Sequence, residues 1–114
     1  STENTHRMVE HKFIAPQNFT LEDRIPSVKS KFAEILEVDE NKVSLQTLRP
    51  PIVNSAVTYV MKADGVNISI WFDKDAHKIQ RPGLKVYAGN SCTDELYQAI
   101  IKCVDPNGLL IHIR

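Results

Sequence analysis

Cys92 stands at the head of a helix-forming run, Thr93 to Val104, with Asp94 and Glu95 just behind it, and four histidines lie at positions 6, 11, 77 and 112. A thiol at a helix N-terminus feels the positive end of the dipole, which can lower its pKa and make it a nucleophile with His77 or His112 as base. The favoured expectation is instead a small core residue, the usual fate of a cysteine beside a helix. Beyond this pair the residues that do chemistry are thinly spread. The four glycines form no G-x-G or G-K-[ST] context, so no phosphate loop is read. No two histidines fall four apart on a helix, and none has a cysteine at metal-ligand spacing, so no metal and no cofactor are expected. The chain therefore reads as a non-enzyme.

Trp71, the only tryptophan, suggests contact chemistry instead. In the run 66–73, Val66, Ile68, Ile70 and Phe72 share one face of a strand, and Asn67, Ser69, Trp71 and Asp73 share the other. A large aromatic among polar neighbours points to a surface used for binding. Asp64-Gly65 is a two-residue turn signal, and a hairpin folded there pairs Met61 with Ile68, Tyr59 with Ile70 and Val57 with Phe72 on one face. Its other face pairs Lys62 with Asn67, Val60 with Ser69 and Thr58 with Trp71. A one-residue slip would scramble both sets.

The elements that must position this hairpin follow from periodicity. Residues 8–14 read as a strand, although Val9, His11 and Phe13 compete with Met8, Lys12 and Ile14 for its inner face. A helix is expected from Pro26 to about Val38, with Ile25, Val28, Phe32, Ile35 and Leu36 on one stripe. Strands follow at 43–48, in the hairpin, at 84–88 and at 109–113; a second helix covers 93–104, with Ser91 or Thr93 as N-cap. Lys74 to Gly83 is a polar loop. The order β-α-β-β-β-β-α-β, with single apolar stripes and alternating strands, suits an α+β ferredoxin-like two-layer sandwich: an antiparallel or mixed sheet, two helices on one face and an extra β-hairpin.

With 114 residues, 42% hydrophobic and 25% charged, the chain is expected to form one domain over 8–114, with 1–7 a disordered linker or a remnant of cloning. Basic and acidic residues number 14 each, so no net field steers it to nucleic acid or an anionic membrane. No apolar run approaches the length of a membrane span. If 93–104 is helical, Cys92 and Cys103 lie roughly 16 Å apart at ~1.5 Å per residue, too far for a disulfide. Free thiols lean toward a reducing, intracellular compartment.

The stretch Arg81-Pro82-Gly83-Leu84-Lys85-Val86-Tyr87-Ala88-Gly89, followed by Asp94-Glu95-Leu96, resembles the strand-to-helix stretch of the eighth small-subunit ribosomal protein family. That resemblance implies RNA binding. The family's Ser/Thr/Gly-rich loop after the last strand is missing here, as is its basic charge, so the similarity is read as convergent strand-loop-helix chemistry.

On the outer sheet side the expected surface comprises Trp71, Tyr87, Thr58, Val60, Lys62 and Lys85, with Leu110, His112 and Arg114 from the last strand, whose Leu109, Ile111 and Ile113 are assigned to the core. Arg81, His77 and Lys78 fringe it from the loop. The function expected is a protein-protein interaction or self-assembly domain using this face or an edge strand, with a protein partner or a second copy. The alternative is single-stranded nucleic acid, with Trp71 and Tyr87 stacking bases and the lysines and arginines meeting phosphates.

Overall fold

The computed structural model describes residues 9–52, 54–76, 81–89 and 91–113. Met8, His77, Lys78 and Arg114, and the expected linker 1–7, lie outside them. The chain runs β1 (Val9–Ile14), α1 (Ile25–Leu36), β2 (Ser44–Leu48), β3 (Ala56–Ala63), β4 (Val66–Asp73), β5 (Gly83–Ala88), α2 (Asp94–Val104) and β6 (Ile111–Ile113). Short 3-10 turns at Glu22–Arg24 and Glu40–Lys42 lead into α1 and out toward β2. The result is an α+β domain with a six-stranded sheet ordered β2-β3-β4-β5-β1-β6, and every neighbouring pair is antiparallel.

The β3–β4 hairpin has the expected register, with Thr58 opposite Trp71, Tyr59 opposite Ile70 and Met61 opposite Ile68. Its turn places Asp64 and Gly65 at φ 53° and 77°. Two successive positive φ values make the tight turn whose twist matches the strands, and Gly65 enters that region without a Cβ penalty.

Both helices cover the same side of the sheet. Val28, Phe32 and Ala33 from α1 and Leu96, Ile100 and Val104 from α2 join Phe13, Tyr59, Met61, Ile68, Ile70, Leu84 and Val86 in one core cluster. Each fully buried Val, Leu, Ile, Met or Phe contributes roughly 1.5–3 kcal/mol relative to exposure, so this single layer dominates stability. Glu37 ends α1 in the left-handed region, its N–H bonding Ala33 O and Glu34 O. Thr93 caps α2, its hydroxyl accepting from Leu96 N at 3.2 Å. In β1 the competition for the inner face is resolved: Val9, His11 and Phe13 lie opposite Ala88, Val86 and Leu84 on the helix side, and Lys12 and Ile14 face out.

The last strand corrects the sequence reading. His112 lies opposite Phe13, and Ile111 and Ile113 lie opposite Ile14 and Lys12, so β6 shows His112 to the helix side and its isoleucines to the open side. Leu110 and His112 therefore do not belong to the outer surface. Leu110 is part-buried against the core, while Ile111 and Ile113 are 55% and 36% exposed. Two interactions account for the phase. The Asp105 carboxylate accepts from Leu109 N at 2.7 Å and Leu110 N at 3.0 Å, fixing how the chain enters the strand. The His112 ring then packs against Phe13, tilted by 31° with centroids 5.0 Å apart.

Candidate functional site

With both helices on one side, the other side of the sheet carries no helix among the described residues, and its residues fall into cross-strand rows. One row crosses all six strands: Leu48, Thr58, Trp71, Lys85, Lys12 and Ile113. The next contains Gln46, Val60, Ser69, Tyr87 and Glu10. Trp71, Tyr87, Thr58, Val60 and Lys85 are half-buried and Lys62 is exposed, all on this face. Arg81 is exposed two residues before β5.

Sequence reasoning missed Lys12, Glu10, Ile14 and both β6 isoleucines as members of the face. Lys12 and Ile14 were visible as one of two alternating sets in β1. The partner strand decides between the sets, and the alternation inside β1 does not.

The face is held by specific contacts. Lys85 Nζ lies 4.7 Å from the centre of the Trp71 ring, a cation–π arrangement that fixes both side chains. Hydrogen bonding from the Tyr87 hydroxyl holds the Glu10 carboxyl below the ordinary range, helped by the charges of Lys12 and Lys85; Glu10 in turn raises the Tyr87 phenol. Lys12 Nζ is 3.6 Å from Glu10 Oε1. Beside Trp71 and the two lysines is a hollow of about 160 Å³, lined also by Ala76, Gly83 and Ile113.

On the helix side, Cys92 is buried, and burial followed by the Asp94 charge pushes its thiol up to about 11. Desolvation and a neighbouring carboxylate both favour the neutral thiol, as suits the core residue expected rather than a nucleophile. His11 stacks on Tyr97 at 4.1 Å between ring centroids and lies 5.9 Å from His112. Burial and the neighbouring His112 lower the His11 pKa, against the opposing charge of Asp94. Cys92 and Cys103 are both free thiols.

A larger cleft of about 610 Å³ opens between Phe19, Phe72, Tyr59, Arg49 and Lys74. Among the described residues no group of three or more His, Cys, Asp and Glu side chains could hold a metal ion, and no helix is long and apolar enough to cross a membrane. No family model, no curated protein and no solved structure matches the chain.

Proposed function

We propose that this chain is a non-catalytic protein-interaction domain that docks a protein partner, or a second copy of itself, through the open sheet face. The observation that carries this reading is the row Thr58–Trp71–Lys85–Lys12–Ile113. A tryptophan and an isoleucine there flank two lysines in the middle of a sheet surface that no helix of the described residues covers. Trp and Tyr are the side chains most enriched at binding hot spots, and Trp71 and Tyr87 stand on adjacent strands. We also read the strand order β6-β1-β5-β4 as a ferredoxin-like plait, to which β3 and β2 add an edge hairpin.

That hairpin supplies a second route to association. All five residues of β2, Ser44 to Leu48, are exposed, and none is charged. Edge strands are ordinarily guarded by charge, proline or a bulge, so an unguarded one is suited to strand addition.

Two observations disfavour the nucleic-acid reading. The Lys85 ammonium already occupies a face of Trp71 where a base would stack, and Glu10 sets a carboxylate beside Tyr87 where a phosphate would approach.

A photo-crosslinking amino acid placed at Val60, on the open face, and separately at Gln98, exposed on α2, tests the reading. Discrete protein adducts from position 60 and none from 98 support it, and an adduct of twice the chain mass identifies self-association. Adducts to RNA, or equal yields from the two positions, overturn it.

A further inference from the structure

We propose that the open face holds a carboxylate-binding site between Lys12 and Lys85, which receives an acidic residue adjacent to an aliphatic one on a protein partner. The inference rests on the protein-contact reading and names the partner's chemistry.

Lys12 and Lys85 are directly opposite on β1 and β5, two inner strands of the sheet. Like charges directly opposite across antiparallel strands destabilise the pairing, and a broken local rule of this kind is characteristic of functional positions. The compensation in place is incomplete. Glu10, on one adjoining row, is 3.6 Å from Lys12 and is shared with the Tyr87 hydroxyl. Asp73, on the other, accepts hydrogen bonds from the Ser55 hydroxyl and the Asp75 amide. Lys85 instead rests its charge on the Trp71 ring. Of the two ammonium groups only that of Lys12 has a carboxylate within ion-pair distance among the described residues, which suits one further carboxylate better than a run of phosphates.

The hollow beside the pair gives the site its shape. Its walls are Trp71, Ile113 and Ala76, and Gly83, on the same face, contributes no side chain to fill it. At about 160 Å³ it equals roughly five waters at ~30 Å³ each, room for a branched aliphatic side chain. An aliphatic group there would lie against the tryptophan ring with its carboxylate neighbour at the lysines. Exposed ion pairs are individually weak, so a small probe is expected to bind on the order of millimolar.

The test titrates the isotope-labelled chain with N-acetyl-leucine, with its uncharged amide, and with oligo(dT), following amide resonances and Trp71 emission. The expected result is saturable shifts centred on Lys12, Trp71, Lys85 and Ile113 with the acid, at least tenfold weaker with the amide. Lys12→Gln and Lys85→Gln variants, confirmed folded by circular dichroism, should each weaken the acid several-fold. Equal response to acid and amide overturns the proposal, as does salt-sensitive binding of oligo(dT) to the same residues at lower concentration. If crosslinking from position 60 survives both lysine variants but is lost in Trp71→Ala, the contact reading stands and the carboxylate site falls.

Discussion

Lys85 carries its ammonium 4.7 Å above the centre of the Trp71 ring, so the most prominent aromatic of the open face is capped by a cation from the neighbouring strand. This has an optical consequence. Replacing Lys85 by Gln should leave stability within about 1 kcal/mol of the parent, the scale of an exposed cation–π contact. It should also uncover the ring, moving Trp71 emission to the red and raising quenching by acrylamide. An emission spectrum that does not change would show that the lysine does not cover the indole.

The orientation of β6 predicts an asymmetry between neighbouring positions. Ile113, 36% exposed on the open face, should tolerate Thr within about 0.5 kcal/mol, as surface substitutions do. Leu110, packed against the core, should lose distinctly more stability on replacement by Asp, because an unpaired charge is then driven toward apolar side chains. Urea midpoints of the two variants check this, and the reverse order would return the strand to the opposite face.

Gly65 sits at φ 77° in the hairpin turn, where an L side chain is strained although nothing else stands within 4 Å. Gly65→Ala should therefore cost about 1 kcal/mol through backbone conformation alone. By contrast Ile68→Ala, in the middle of the same hairpin and fully buried, should cost about 2–5 kcal/mol through lost burial and the cavity left behind. Thermal unfolding of both separates turn strain from packing.

Acid should weaken the domain through His11. Burial against Tyr97 and the nearby His112 hold its pKa below the usual 6.5, so near and below that value the unfolded chain binds more protons than the folded one. The neutral-His11 contribution is complete above the unfolded pKa and is lost as pH falls from about 7 toward the lowered folded value. Denaturation midpoints at pH 7.5 and 5.5 should differ in the parent and converge in His11→Phe. An equal drop in both would place the sensitivity elsewhere.

The hairpin was legible in the sequence because two independent signals, the Asp64-Gly65 turn and the alternation on both arms, agree on one register. The helices were legible for a similar reason: each has a single apolar stripe behind a start signal, Pro26 for α1 and Thr93 for α2. The phase of β6 was not legible. Its isoleucines form the more apolar set, and hydrophobicity alone puts them inside. What decides is a contact between distant residues, His112 on Phe13, and the Asp105 side chain that sets the strand's entry. Cys92 was legible as a small core residue, and its burial raises the thiol pKa rather than lowering it. Of the expected face, Trp71, Tyr87, Thr58, Val60, Lys62 and Lys85 are grouped by the sheet. Lys12 joined them only through its pairing with Lys85.

A contact face of this kind requires Trp71 to be within reach of solvent in the dilute chain. Acrylamide quenching of its emission at the lowest workable concentration measures this directly. Red-side emission and efficient quenching are expected, with protection appearing only when concentration rises or a partner is added. Blue emission that resists acrylamide at every dilution would show that the chain covers this face itself, and the contact surface would be contradicted.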